Sequence, residues 1–361
     1  MKDEERINQC INYLKKSPIF AMSLGSKELF HSNFWAFLME QEETKSFINC
    51  FFPNLDLYQI KEIKREDKHR DLVIFDKNDN EYVIENKIKS YPRKEQLEGY
   101  QTKVFKSGVI TGINPPPFEL KSWRFVSYSD ISTYLKGISK NLEGFKKEII
   151  VEYYKVLDAI NEILSLCLKE TTGKLSFWTE NIDKLKEIRL MDVYRKIKAD
   201  DYIVNGFASL KDEFETKVRA FDNIKFYIER SFNNGKATLT FGLNKIALKN
   251  NEALVSVGVQ IEDNQFRLFV WDKNCNADEC FNKYTKANWF DDKFDIDNHR
   301  YIHDKLTKMS KKYCQYGYNW IYQYFDTWFE ESNEVKQDIQ DYNVINNLIK
   351  EQLVKALNIL K

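Results

Sequence analysis

Three ionisable residues stand where strand packing alone gives no reason for them. Asp71 sits at the start of the apolar run RDLVIFD, and Glu85 and Lys87 lie late in the run EYVIENKIKS. A carboxylate on a strand with apolar residues on both faces is not there for stability, because an unpaired buried charge costs roughly several kcal/mol. Something must neutralise it. A hard divalent ion such as Mg²⁺ does this well, since it takes carboxylate oxygens, keeps several waters and binds phosphate oxygens in its open positions.

Whether the three side chains meet is a question of parity. Strand side chains alternate, so Glu85 and Lys87 share a face, as do Asp71, Val73 and Phe75. If RDLVIFD and EYVIEN pair as an antiparallel hairpin whose residue numbers sum to 156, Asp71 lies opposite Glu85. The loop is then Lys77, Asn78 and Asp79, or that segment lengthened by one residue on each side. A two-residue turn at Asn78-Asp79 instead pairs Asp71 with Asn86 and throws the acids onto opposite faces. The first register also sorts Leu72, Ile74, Tyr82 and Ile84 onto the other face, an apolar surface for a helix to cover. Glu-x-Lys by itself means little, because it also occurs at Glu43 to Lys45, Glu62 to Lys64, Glu66 to Lys68 and Glu334 to Lys336. Only the copy at Glu85 follows an apolar strand and has an acid on a preceding strand. The alternative is an exposed hairpin with solvated charges.

The elements around this hairpin follow from periodicity. Phe30, Phe34, Phe37 and Leu38 recur at helical spacing and predict a helix from Ser26, its cap, to about Glu40. The run LYQIKEIKRE predicts a strand ahead of the hairpin. After it, PRKEQLEGYQTKVF predicts a helix with Pro92 in the first turn, GVIT a strand, and WRFVSYSDISTYL a strand and a helix capped by Ser129. Past Glu148 long helical stretches take over. Four alternating runs between about Ile224 and Trp271, the first two joined by Asn234-Gly235, predict a small antiparallel sheet. A C-terminal helix is expected from Glu331 onward. The predicted division is a core of residues 1–145 and an α+β C-terminal domain of residues 146–361 with no motif of its own.

Composition bounds the rest. The chain has 361 residues, 43% hydrophobic, 30% charged and 15% aromatic, which excludes global disorder and low-complexity scaffolds. Lys plus Arg equals Asp plus Glu at 55 each, so a polyanion must be met by a local basic surface. The acidic N-terminus and the lack of a long apolar run predict a cytoplasmic protein with no membrane association. Its six cysteines are scattered and are expected to be reduced packing residues. His299 and His303, four apart, suggest a shared helix face without further metal ligands. No phosphate-loop pattern stands in a suitable context, which disfavours a nucleotide-driven motor or kinase.

In order, KELFHSNFWAFL, RDLVIFD, YVIENKIKS and EQLEGY resemble the PD-(D/E)XK nuclease superfamily, the restriction-endonuclease-like fold. More narrowly, they resemble a bacterial family within it that has an acid-x-x-His-Ser first helix. The resemblance spans roughly residues 20–140. It implies an α/β fold with a mixed sheet flanked by helices, and a Mg²⁺-dependent phosphodiesterase for which Mn²⁺ substitutes. Asp71 would match the metal-binding aspartate, Glu85 the second acid and Lys87 the lysine, with the backbone carbonyl of Asn86 as a further metal ligand. Glu28 resembles the acid of the first helix and His31 its histidine. Gln96 and Tyr100 resemble the glutamine and tyrosine of the following helix. No proline precedes Asp71, a position that varies widely in the superfamily.

On this reading Asp71, Glu85, Lys87, Gln96 and Glu28 are the candidate catalytic residues. His31, Arg70, Lys89, Arg93, Lys94 and Tyr100 are the candidate substrate contacts, joined by Lys61, Lys64, Arg65, Lys68 and His69. Such phosphate contacts position nucleic acid without reading its sequence. An ordinary helix-surface pair stands as the alternative for Glu28 and His31, and helix-face packing as the alternative for Gln96 and Tyr100. The aromatic run from Tyr316 to Phe329 is read as core packing rather than as a base-stacking surface. The expected activity is hydrolysis of nucleic acid, DNA foremost, in defence against foreign DNA, with a homodimer or a defence-system partner left open. The competing reading keeps the fold as a catalytically inactive nucleic-acid-binding or assembly module.

Overall fold

The computed structural model describes residues 3–275 except 25–26, 178, 222, 234, 248–253 and 264, and beyond them 283, 289, 295–296, 299–300, 305–308, 320–324 and 341–358. Two compact units emerge, one of residues 1–170 and 178–200, the other of residues 171–177 and 201–361. The division thus falls near 200 rather than near 145. The reason is the 27-residue helix that follows position 143: its Tyr153, Leu157, Ile160 and Leu164 enter the same core as the N-terminal helices.

The N-terminal unit opens with α1 (Asp3–Lys16), which buries Ile7, Ile11 and Leu14 and places acids in its first turn and lysines in its last, as the helix dipole favours. In α2 (Pro18–Ser23) the Ser17 side chain caps the Phe20 N–H, with proline in the first turn. Then come α3 (Lys27–Glu40), α4 (Ile48–Phe51), β1 (Ile60–Asp67), β2 (Arg70–Asp76), β3 (Glu81–Asn86), α5 (Lys94–Gly99), β4 (Phe105–Gly112) and β5 (Trp123–Ser127). The unit closes with α6 (Tyr128–Ser139), α7 (Gly144–Glu170), α8 (Ile182–Glu187) and α9 (Met191–Asp201). Ser26, the expected cap of α3, lies outside the described residues.

The five strands run in the order β1-β2-β3-β4-β5, antiparallel through β3 and parallel from β3 to β5. Leu72, Ile74 and Ile84 lie fully buried in one core with Trp35, Tyr128 and Tyr153, so the even-numbered face of the hairpin is the one the helices cover. Two local expectations change. Helix α5 stops at Gly99 rather than near Phe105, because the Glu81 N–H takes the Val104 carbonyl and Phe105 pairs with Glu81, drawing that stretch into the sheet. Helix α6 is capped by Ser127 rather than Ser129, since Ser127 has Asp130 three residues on and the two cap each other.

The C-terminal unit holds α10 (Ala208–Val218), β6 (Lys225–Asn233), β7 (Lys236–Ala247), β8 (Leu254–Glu262), β9 (Gln265–Trp271), the two-residue β10 (Asp295–Ile296) and β11 (His299–Arg300), β12 (Lys305–Lys308), β13 (Trp320–Tyr324) and α11 (Tyr342–Asn358). Strands β6 to β9 are the predicted antiparallel sheet, extended by β13 and β12 into the order β12-β13-β9-β8-β7-β6. At the β6–β7 turn Asn233 pairs with Lys236 and Gly235 has φ +79°, a conformation glycine adopts without penalty. Trp320–Tyr324, expected as part of a helical aromatic run, is a strand paired with β9. His299 is likewise extended, and His303 lies outside the described residues, as do Cys280, Cys314 and positions 331–340 of the expected last helix. The other four cysteines form no disulfide. No described helix is long and apolar enough to cross a membrane. The architecture is the expected one, a mixed sheet flanked by helices followed by an α+β part with an antiparallel sheet.

Candidate active site

The site begins with a turn. Phe75 pairs with Glu81, Ile74 with Tyr82, Val73 with Val83 and Leu72 with Ile84, so the numbers sum to 156 and the loop is Lys77, Asn78 and Asp79. Asp76 makes that loop. Its Oδ1 accepts from the N–H groups of Asn78 and Asn80 at 2.8 and 2.9 Å, and its Oδ2 from Asn80 Nδ2 at 2.8 Å. Asp79 supplies the left-handed residue at φ +60°, which aspartate tolerates better than most. A carboxylate that satisfies three donors in one turn favours this loop length, and the loop length sets the register.

In this register the acids converge. Oδ2 of Asp71 accepts from the Asn86 N–H at 2.7 Å, and Glu85 Oε2 lies 3.3 Å from the Asp71 N–H that donates to it. Lys87 Nζ pairs with Glu85 Oε1 at 2.8 Å. Glu85 is only 1% exposed, while Asp71 and Lys87 are half-buried. Burial, then the charge of Glu85, push the Asp71 carboxyl up to about 7, despite the opposing pull of Lys87 and the Asn86 N–H. Burial opposes the charge on Lys87, but Glu85, Asp71 and Glu28 together raise its pKa above the ordinary lysine value.

Helix α5 reaches the same place. Gln96 Nε2 donates to Glu85 Oε1 at 3.3 Å and to Tyr100 Oη at 2.5 Å, and Tyr100 Oη donates to the His69 carbonyl at 2.9 Å. The four-residue spacing therefore joins the second acid to the turn ahead of Asp71. Glu28 sits differently: its Oε1 accepts from the Lys89 N–H at 3.0 Å and from the N–H and Oγ of Ser90 at 2.8 Å each, tying the segment after β3 to the first turn of α3.

Two expected substrate contacts are committed elsewhere. His31 is 1% exposed, its Nδ1 2.7 Å from Tyr153 Oη, because it lies on the face of α3 that packs into the aromatic core. Arg70 is 2% exposed and pairs with Glu81 at 2.7 Å and with Asp67, since a buried Glu81 needs a cation beside it. Lys89, Arg93 and Lys94 are exposed, Lys89 paired with Asp192 at 2.9 Å. Tyr100 is half-buried.

The sequence reading missed the side chain of Asn86. Its Nδ2 donates to the Glu28 carbonyl at 2.9 Å, and its Oδ1 accepts from Thr111 Oγ1 at 3.1 Å and Tyr128 Oη at 2.7 Å. One amide thus joins α3, β3, β4 and α6 between the second acid and the lysine. Parity could have flagged it, because position 86 shares the core face with Ile84 and a buried amide there must find partners.

The donor set fits a hard divalent ion. Two carboxylates converge beside the Lys87 ammonium, which pairs with Glu85, and an ion held between them would offset the burial and the Glu85 charge that raise the Asp71 carboxyl. Among the described residues no group of three or more His, Cys, Asp or Glu side chains could hold a metal, so further ligands would be backbone, water or substrate oxygen. Residues 19–183 match the model of the PD-(D/E)XK nuclease superfamily, to which this part of the chain is similar. Nuclease chemistry supported by divalent metal ions is what that similarity suggests. No curated protein and no solved structure matches the chain.

Proposed function

We propose that the N-terminal unit hydrolyses phosphodiester bonds of DNA with Mg²⁺, or Mn²⁺ in its place. Asp71 and Glu85, with the backbone carbonyl of Asn86, would hold the ion, which when bound polarises a phosphate and lowers the pKa of a coordinated water. Lys87 keeps its ammonium beside the acids, where it orients the attacking water or stabilises charge developing on the phosphate. Gln96, held by both Glu85 and Tyr100, presents an amide to the same position. Lys68, His69, Arg93 and Lys94, all exposed, flank the acids in sequence and would carry the nucleic-acid backbone. Defence against foreign DNA, alone or with a partner, is the setting that the family's usual association suggests.

The observation that most supports this reading is the hairpin register that brings Asp71 against Glu85 and Asn86. The test incubates the full chain with plasmid, linear duplex, single-stranded DNA and RNA in Mg²⁺, Mn²⁺ or EDTA, beside Glu85→Ala. Cleavage that needs metal and disappears in the variant is the expected result. Tight binding without cleavage would favour an inactive binding module on the same fold, and cleavage unchanged by Glu85→Ala would place the activity elsewhere.

A further inference from the structure

Lys87 stands one residue past the end of β3, where the sheet ladder stops holding the chain. Its N–H still donates to the Thr111 carbonyl at 2.9 Å. Its own carbonyl is taken by the Nζ of Lys196, a side chain 2% exposed and 109 positions away on α9. Four residues earlier on α9, Asp192 pairs with Lys89 at 2.9 Å. A spacing of four puts Asp192 and Lys196 on one side of the helix. From the opposite flank Glu28 holds the N–H groups of Lys89 and Ser90. Helix α9 lies beyond residues 19–183, so the superfamily match does not extend to these two residues.

We infer that Asp192 and Lys196 are positioning residues of the active site, holding the Lys87–Ser90 segment so that the Lys87 ammonium meets Glu85; the catalytic consequence rests on the nuclease reading above. A charge-assisted bond to a main-chain carbonyl fixes the plane of the 87–88 peptide and with it the direction in which the Lys87 side chain leaves the chain. Thr111 of β4 still holds the Lys87 N–H, but the Lys87 carbonyl is held by Lys196, and the backbone groups of a segment leaving the ladder must find other partners. Burying an ammonium is costly unless its donors are met, which is a strong reason for Lys196 to remain on that carbonyl. Catalytic groups must hold their geometry to about half an ångström, so loosening this anchor falls on turnover more than on substrate affinity.

The test uses the full chain, Lys196→Met, Lys196→Arg and Asp192→Asn, with steady-state cleavage of DNA in Mg²⁺ and hydrogen exchange of the metal-free proteins. Lys196→Met should lower kcat roughly ten- to a hundredfold with KM changed by less than about twofold. It should also speed amide exchange at residues 87–90 while leaving β2 and β4 protected. Lys196→Arg should restore most of both, and Asp192→Asn should move both in the same direction by less. Unchanged exchange at 87–90 in Lys196→Met, an unchanged kcat, or an arginine variant as impaired as the methionine one would overturn the inference. Should Lys196→Met fail to fold, Asp192→Asn decides, with unaltered exchange and kcat counting against the proposal. If the parent chain cleaves nothing while exchange at 87–90 rises as stated, the nuclease reading fails and the anchoring role stands.

Discussion

The main-chain N–H of Asn86 donates to Oδ2 of Asp71 at 2.7 Å, which ties the residue between the second acid and the lysine to the first acid across the hairpin. Both faces of position 86 are therefore engaged, its backbone with the charged cluster and its amide with Thr111 and Tyr128.

Replacing that amide should be costly. Asn86→Leu leaves Tyr128 Oη and Thr111 Oγ1 without their shared acceptor, and a loss of roughly 2–4 kcal/mol of stability is expected from such orphaned groups. Urea denaturation of variant and parent measures it. A variant as stable as the parent would mean that those hydroxyls find other partners.

The acids should oppose stability while serving chemistry. Asp71→Asn and Glu85→Gln are expected to reduce metal-dependent cleavage by roughly a hundredfold or more. Asp71→Asn should also raise the melting temperature of the metal-free chain above pH 7, because the charged carboxylate it removes is disfavoured by burial and by Glu85. Differential scanning calorimetry in EDTA, set beside the cleavage assay, checks both.

Asp71 sets a pH dependence of known sign. Its carboxyl is pushed up to about 7 in the fold against an ordinary value of 3.8, so the folded chain holds this proton more tightly than the unfolded chain does. Its contribution to stability is present in full below pH 3.8 and is lost as the pH rises through about 7. Melts of the metal-free chain across that window should fall with pH, and Asp71→Asn should flatten the slope. Metal binding must displace the same proton, so Mn²⁺ affinity by titration calorimetry should climb with pH up to about 7 and level off above it.

Loop length can be tested apart from the acids. Deleting Asn78 leaves two residues between Asp76 and Asn80, a loop that closes with Asp71 still opposite Glu85, so Mn²⁺ binding by titration calorimetry should persist while the loss of the Asn78 N–H bond to Asp76 lowers stability. Asp79→Gly keeps the length and relieves the left-handed residue, and should gain up to about 1 kcal/mol in denaturant titrations with metal binding intact.

The strands and their parity were legible in the sequence because they rest on local chemistry. Alternating apolar residues mark the faces, and the composition of the 76–80 turn is compatible with an odd loop. The sequence left the choice between the two registers open, and the three hydrogen bonds to Asp76 belong to the folded turn. Which charges are free for a ligand was not legible either. Arg70 and His31 have the right residue types near the right strands, yet one is spent on Glu81 and the other on Tyr153. The approach of Lys196 to Lys87 leaves no local trace, since nothing in the periodicity of α9 names its partner. Local propensity acts over a turn or a pleat, whereas burial and ion pairing depend on which distant segments the packed core brings together; the first determined the elements of this protein, and the second decided which of its charged residues remain available to act.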